Sequence, residues 1–205
     1  MHPDILSGPI LLLLSVVGFA WPLVAGLAVR PVEKIVAGCV LSLLCIGLFA
    51  WAVYTLALPP TTFWLVPAFS AFAILYRRHA FITTLRDAEV RALLVAQLLV
   101  TTAIISGLFS IVSYSGGGWA SDWFEHWDRA QFFLNHAPLD HRFLGHYALP
   151  ARPPLANLVT GAFLTLGRVD FAHYQLITAL LSSLAFLPAA LVAWRFGGRP
   201  AIAVA

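Results

Sequence analysis

The residues of this chain that are best suited to chemistry are acids and histidines gathered in one polar segment. Residues 113–153 hold four of the nine carboxylates and four of the seven histidines, namely Asp122, Glu125, Asp128, Asp140, His126, His136, His141 and His146. A carboxylate can take a proton from an attacking hydroxyl or amine, or bind a hard divalent cation through its oxygens. Asp122 and Glu125 are therefore candidates for a general base, and for ligands of Mg²⁺ or Mn²⁺.

The part of this segment that carries Asp122 is predicted to be a helix lying at a membrane surface. Three glycines at 116–118 permit a sharp turn, and Ser121 is suited to cap the helix that follows. At about 100° per residue, one face carries the acids and a neighbouring face carries Trp119, Trp123 and Trp127. Because tryptophan is typical of membrane interfaces, we expect the tryptophans to face lipid or headgroups and the acids to face a cavity.

Other residues of the segment leave their roles open. The histidine spacings of ten, five and five match no compact metal motif such as HExxH. Arg152 precedes two prolines. Its planar guanidinium group could bind a phosphate through two hydrogen bonds, although the same residues could simply form a stiff loop. An acid-rich loop outside a membrane is also commonly just solvated.

Composition identifies an integral membrane protein. The chain is 60% hydrophobic and 10% charged, with a mean hydropathy of +0.87, whereas soluble domains have roughly 25% charged residues. Runs long enough to cross a hydrocarbon core of about 30 Å occur at 5–29, 35–58 and 92–113, with further spans expected at 60–76 and 176–194. The fold class predicted is all-α, a polytopic transmembrane helical bundle. A new apolar run at 201–205 predicts that the sequence continues.

Basic residues predict the orientation of the bundle. Lysine and arginine favour the cytoplasmic side, and they cluster in two connections, at Arg30 and Lys34 and at residues 77–91. This orientation predicts an extracytoplasmic loop at 113–175, which carries juxtamembrane amphipathic helices. Residues 155–167 number 13, below the roughly 17 that a span needs, so we expect them to lie in the interface as an amphipathic or re-entrant helix and not to cross. The net charge of +3 reflects topology signals, and no nucleic-acid partner is expected.

The order of these features resembles the GT-C superfamily of membrane glycosyltransferases. The nearest relatives would be the protein mannosyltransferases of glycosyltransferase family 39 and the lipid A aminoarabinose transferase. The matching pieces are the outward span at 92–113, the acidic motif at 122–130, Arg152-Pro153-Pro154-Leu155, the short apolar helix at 155–167 and the span at 176–194. The family's adjacent Asp-Glu pair is replaced by Asp122 and Glu125, which two residues separate. Residues 1–91 would be an N-terminal addition of three spans, and 92–205 the start of the catalytic core.

The resemblance implies inverting transfer of a sugar from a polyprenyl-phosphate carrier to a lipid, glycan or protein acceptor at the outer face of a bacterial inner membrane. Asp122 would be the base, with Glu125 as the alternative or as its partner in acceptor or metal binding. Arg152 would bind the departing phosphate. Further candidates for lining the cavity are Asp128, Arg129, His146 and Tyr147.

Two other classes of function compete with the transferase. In one, the chain is a non-catalytic multipass scaffold or subunit whose outer loop binds a partner. In the other, it is a transporter that uses Asp122 and Glu125 as coupling carboxylates. Transport predicts ionisable groups near the middle of the spans, and the runs at 5–29 and 92–113 contain none there.

Overall fold

Helices supply the regular secondary structure of the chain. The computed structural model describes residues 6–110, 120–143, 145, 147–148 and 154–197, with all their side chains except those of 110 and 120–122. Within these ranges no strand forms, and β pairing is limited to one bridge between Phe143 and Tyr147. The predicted all-α class is confirmed for this part of the chain.

The helices are, in chain order, α1 (Ser7–Gly18), α2 (Trp21–Val24), α3 (Pro31–Thr55), a 3₁₀ turn (Pro60–Trp64), α4 (Leu65–Tyr76), α5 (Arg78–Arg86), α6 (Ala88–Ser110), α7 (Ala120–Leu134), α8 (Leu155–Leu164), α9 (Phe171–Ser183) and α10 (Phe186–Gly197). Four stretches are long and apolar enough to cross a membrane, namely Ser7–Val24, Pro31–Thr55, Ala88–Phe109 and Phe171–Gly197. They support the prediction of a multipass membrane protein. Pro60–Tyr76 is apolar but shorter.

Prolines explain why two of these stretches are broken. A proline has no N–H to donate, and its ring clashes with the carbonyl four residues earlier. Pro22 lies four residues after Gly18, where α1 ends, and Pro188 lies four residues after Leu184, where the chain breaks between α9 and α10. The spans predicted as continuous at 5–29 and 176–194 therefore each contain two helices.

Contacts between distant segments gather basic side chains at one end of the bundle. Arg195, in the last turn of α10, lies 3.3 Å from Glu33 in the first turn of α3. The guanidinium of Arg30 lies 5.9 Å from the centre of the Trp194 ring. The start of α3 and the end of α10 are thus neighbours, and we call this the basic end.

The arginine-bearing helix α5 lies at the basic end as well. Phe81 of α5 packs edge-on against Trp21 of α2, with ring centres 5.2 Å apart. Lys34 closes the same region by donating to the carbonyl of Ala25 over 3.1 Å. The connections that carry basic residues therefore meet at one end of the bundle. This agrees with the proposal that they lie on the same side of the membrane.

Helix α7 meets the other end of α3. The hydroxyl of Tyr54 donates to the carbonyl of Ala137 over 3.2 Å, and its ring packs against Phe133 at 5.2 Å. The 25 residues of α3 span about 37 Å at 1.5 Å per residue. This α7 end, defined by Tyr54 and the close of α7, is therefore a full helix length from the basic end.

Helix α8 packs inside the bundle and does not lie on its surface; its predicted place in the membrane, as a re-entrant helix that does not cross, stays a prediction. Every residue from Asn157 to Leu164 is buried, because α3, α7 and α9 pack around the helix. Two glycines permit this packing. A side chain at Gly47 would overlap Leu155, and one at Gly161 would come within 3.1 Å of the Ala130 carbonyl. Protein, and not lipid, therefore surrounds this short apolar helix.

Candidate functional site

Glu125 and Arg129 form a buried ion pair on α7. Arg129 Nε donates to Glu125 Oε1 over 2.8 Å, and Nη2 lies 2.8 Å from the same oxygen. The spacing of four residues places both side chains on one face of the helix. Each side chain is only 1% exposed. Since a buried charge is costly unless it is paired, each of the two residues holds the other in place.

Arg129 also holds the loop that follows α7. Its guanidinium lies 4.2 Å from the centre of the buried Phe143 ring, a cation–π contact, and Nη2 reaches the carbonyl of Ala148 at 3.4 Å. Two backbone hydrogen bonds of 2.9 and 3.0 Å join Phe143 and Tyr147. The ion pair therefore fastens a small hairpin whose chain continues, four residues after Ala148, to Arg152.

A cavity of about 430 Å³ lies between α7, α8 and α9. This volume falls within the range of roughly 300–1,000 Å³ that is usual for small-molecule sites. Trp123 forms an aromatic part of the lining. The polar part of the lining consists of His126, Asn157, Thr160, Tyr174, Thr178 and Ser182. Ala156 and Leu181 add apolar groups, so the cavity is lined mostly by apolar surface with a few hydroxyl, amide and imidazole groups.

His126 connects α7 to α8 across this cavity. Its Nδ1 lies 3.2 Å from Oδ1 of Asn157, which is 4% exposed. An amide oxygen only accepts hydrogen bonds, so Nδ1 carries the proton in this contact, and in a neutral ring Nε2 is then the accepting nitrogen. Asn157 thus fixes the orientation and the tautomer of His126.

The remaining predicted site residues are divided between the surface and the undescribed segments. Asp128 pairs with His141 at 3.4 Å, and both side chains are more than a third exposed. Tyr147 is 46% exposed. The side chain of Asp122, and all of His146 and Arg152, lie outside the described residues, so their predicted roles stay predictions. Asp122 belongs to α7 one turn before His126, which places its backbone on the cavity side of that helix.

The tryptophans of α7 that the structure describes pack against α9 on one side, and their predicted position toward lipid or headgroups stays a prediction. Trp123 and Trp127 are half-buried and pack against Tyr174 of α9, with ring centres 6.0 and 5.4 Å apart. Trp127 also contacts Phe171 at 6.2 Å. Their partners are aromatic residues that follow some fifty positions later in the chain, which the helical periodicity of α7 alone does not reveal. Trp119 lies outside the described residues.

One oxygen of Glu125 is engaged by a cation, and the predicted role of this residue in metal binding stays a prediction. The oxygen that would bind the metal already accepts from Arg129, whose positive charge would repel a second cation. In the part of the chain that the structure describes, no group of three His, Cys, Asp or Glu residues could hold a metal ion. The described histidines contact different partners, with His126 at Asn157, His141 at Asp128 and His136 at the end of α3.

Sequence reasoning missed the groups that α8 and α9 contribute. Asn157 and Thr160 interrupt an otherwise apolar helix, and Tyr174, Thr178 and Ser182 recur every four residues along α9. A polar residue in a membrane helix usually faces the interior of the bundle. Their spacing was therefore a usable signal, which the interfacial interpretation of α8 concealed.

Comparisons of the chain with protein-family models, with curated proteins and with solved structures find no match. What the chain does must therefore be inferred from the geometry of its own residues.

Proposed function

We propose that this protein is a membrane glycosyltransferase of the GT-C type, which moves a sugar from a polyprenyl-phosphate donor to an acceptor with inversion. The observation that carries the proposal is the cavity that the polar helix α7 forms with α8 and α9. Its neighbours Glu125 and Arg129 are buried and paired, so the polar segment is packed into the protein. A merely solvated loop would leave these charges in water.

The reaction is assigned to the extracytoplasmic face, in a bacterial inner membrane. The support comes from the two ends of the bundle. Arg30, Lys34 and Arg195 lie at the basic end, and the positive-inside rule makes that end cytoplasmic. Helix α7 lies about one α3 length away, at the end where Tyr54 contacts Ala137. An active site there would meet a lipid-linked donor at the outer surface.

The chemistry divides between a base and a phosphate-binding residue. A hydroxyl or amine of the acceptor attacks the anomeric carbon, and its proton passes to the carboxylate of Asp122. The bond between that carbon and the phosphate oxygen breaks, and the electron pair leaves with the lipid phosphate, whose charge Arg152 stabilises. Attack opposite the leaving group inverts the configuration.

Glu125 receives a positioning role in this scheme. A general base needs a lone pair that can reach the acceptor proton, and the Oε1 atom of Glu125 is occupied by Arg129 at 2.8 Å. The pairing therefore favours Asp122 as the base. Through Arg129, Glu125 instead holds the hairpin that leads to Arg152.

Residues 1–91 support the site in this proposal, although they would be an addition to the family core. Helix α3 packs against α8, with Gly47 facing Leu155, and its last turn contacts the chain after α7. The two sequence regions are thus interleaved and depend on each other for packing.

The test is transfer by membranes that contain the full-length protein. Such membranes, supplied with a panel of radiolabelled polyprenyl-phosphate sugars, should pass label from one of them to an acceptor. Asp122→Asn should abolish transfer without changing the amount of inserted protein. Asp140→Asn is the matched control, because Asp140 is an exposed carboxylate of the same loop, and it should retain activity.

A non-catalytic scaffold is the second candidate, and the buried ion pair is the observation that favours it. Glu125 and Arg129 shape the loop without needing to meet a substrate. In that case no labelled donor would lose its sugar, and Asp122→Asn would have no measurable consequence. The next step would then be to identify the partner that the outer loop binds.

A further inference from the structure

A further groove of about 710 Å³ lies between the break that follows α1 and the helices α3 and α4. It is lined by apolar side chains and by one thiol, that of Cys45. The chain turns between α1 and α2, so that Phe19 and Leu23 line one side of the groove, and Phe69 and Phe72 of α4 line the other. Leu23 and Phe72 are each more than 60% exposed. The groove is therefore open to the surroundings of the bundle.

The position of this groove among the apolar helices defines what can fill it. Two of its walls belong to Ser7–Val24 and Pro31–Thr55, which are long and apolar enough to cross a membrane. Along α4 the lining extends from Leu65 to Phe72, about 10 Å at 1.5 Å per residue. An apolar surface of this kind is costly to expose to water. A hydrocarbon chain of the bilayer is therefore the chemical group that fits the groove.

Stacked aromatic rings connect the groove to a cation. Tyr76 follows Phe72 by four residues on the same face of α4, and the two rings are stacked with their centres 6.0 Å apart. The guanidinium of Arg77 lies 5.3 Å from the centre of the Tyr76 ring. Helix α4 ends at Tyr76, and α5 begins at Arg78. A positive charge therefore stands just beyond the end of the groove that points toward the basic end.

The side chains of Arg77 and Arg78 are available to an anion. Both are exposed, and in the described part of the chain the ion pairs engage other arginines and not these two. The next acid along the chain, Asp87, is already engaged, because its Oδ1 accepts from two backbone N–H groups of α6 over 2.9 and 3.1 Å. Tyr76 is 68% exposed, and tyrosine is typical of membrane interfaces. The two arginines therefore lie at the depth of lipid phosphates.

We propose that this groove binds an anionic phospholipid of the leaflet at the basic end, with one acyl chain along Phe69 and Phe72 and the headgroup phosphate at Arg77. The planar guanidinium group can donate two hydrogen bonds to that phosphate, and Arg78 adds a second positive charge. A lipid fits because it supplies both the hydrocarbon and the negative charge, whereas a free phosphate leaves the groove unfilled. The site does not depend on the proposed sugar transfer.

The test titrates the full-length protein in detergent with phosphatidylglycerol or phosphatidylcholine that carry identical palmitoyl and oleoyl chains. Native mass spectrometry counts the bound lipids, and the first phosphatidylglycerol should bind more tightly than the first phosphatidylcholine. Arg77→Gln should weaken phosphatidylglycerol about fivefold, which corresponds to about 1 kcal/mol for one basic residue. Arg86→Gln is the matched control, because it removes the same charge from an exposed arginine at the other end of α5, and it should retain the affinity.

A second variant tests the groove itself. Ala68→Trp fills it from an exposed lining position and should also weaken phosphatidylglycerol, whereas Ala103→Trp, at an exposed alanine of α6, should not. Glycerol phosphate, which has the anion without the chains, should not displace the lipid. Equal affinity for the two lipids, or equal losses in Arg77→Gln and Arg86→Gln, would overturn the proposal. An unchanged affinity in Ala68→Trp, or displacement by glycerol phosphate, would overturn it as well.

Discussion

The guanidinium of Arg195 donates to Glu33 Oε1 over 3.3 Å, although 162 positions separate the two residues in the sequence. The contact joins the last turn of α10 to the first turn of α3. An even number of crossings must therefore separate these two points if both helices span the membrane. The long helices from Pro31 onward are three, namely α3, α6 and the α9–α10 pair, so one shorter apolar segment must cross as well. If Pro60–Tyr76 is that segment, as the sequence predicts, α8 does not need to cross.

We predict from this that reporter fusions after Arg168 and after Arg199 report opposite sides of the membrane, with the Arg168 fusion outside. A cysteine placed at residues 116–121 should react with an impermeant thiol reagent from outside, and one placed at Arg86 should not. Native Cys39 and Cys45 lie within α3, at buried and half-buried positions, and the unaltered protein gives the background labelling. An Arg168 fusion on the cytoplasmic side would contradict the arrangement of α8.

Glu125→Ala should destabilise the protein strongly, because it leaves the buried guanidinium of Arg129 without its counter-ion. Breaking a buried pair in this way costs about 3–5 kcal/mol. Chemical unfolding of the full-length protein in detergent would measure the change. Glu33→Ala removes the solvent-accessible pairs with Arg30 and Arg195 and a cap of α3, and it is the comparison variant, for which we expect a smaller loss of about 1 kcal/mol. Equal midpoints for both variants would show that the pair on α7 does not support the fold.

Arg152→Ala should raise the donor KM of the transferase with a smaller change in kcat, if its contact with phosphate is equally strong in the ground and transition states. The measurement is the initial rate of transfer as donor concentration is varied. Arg142→Ala removes an exposed arginine ten residues earlier in the same loop, and it should leave both constants unchanged. A KM shift of equal size in the two variants would mean that the loop attracts the donor only through its overall charge.

His136→Ala should loosen the attachment of α7 to α3. The two ring nitrogens of His136 lie 3.3 and 3.2 Å from the carbonyl oxygens of Tyr54 and Leu58, and the residue adopts a positive φ of 48°. Losing these contacts should cost about 1–3 kcal/mol, seen as faster proteolysis after residue 134 and a lower unfolding midpoint. His141→Ala, which affects a partly exposed contact with Asp128, should change the midpoint less. The reverse order would refute the anchoring role of His136.

The sequence allowed the spans to be predicted because hydrophobic length alone indicates them. Pro22 and Pro188 also predict the breaks at Gly18 and Leu184, once the clash with the carbonyl four residues earlier is considered. Neither break changes which segments are long enough to cross. Local chemistry was therefore sufficient for this level of the fold.

The surroundings of α7 and α8 could not be predicted in the same way. An apolar stretch is equally compatible with lipid and with protein around it. Only the contacts with Gly47 and with the aromatic residues of α9 show that α8 and α7 pack against protein. The spacing of Glu125 and Arg129 indicates a pair, but not that Phe143 and its loop exclude water from it. Those partners lie far away in sequence, where periodicity carries no information.

Gly47 influences the geometry of the cavity although it has no side chain, because Leu155 of α8 packs directly against it. A small side chain at position 47 would displace the end of the Leu155 side chain, whereas a bulky one would also press on α8, which carries Asn157, the partner of His126. Evolution could thus retune which molecules the cavity accepts through a substitution in a helix that never touches them. Variants with an altered substrate range should therefore be sought at position 47 as well as among the residues that line the cavity.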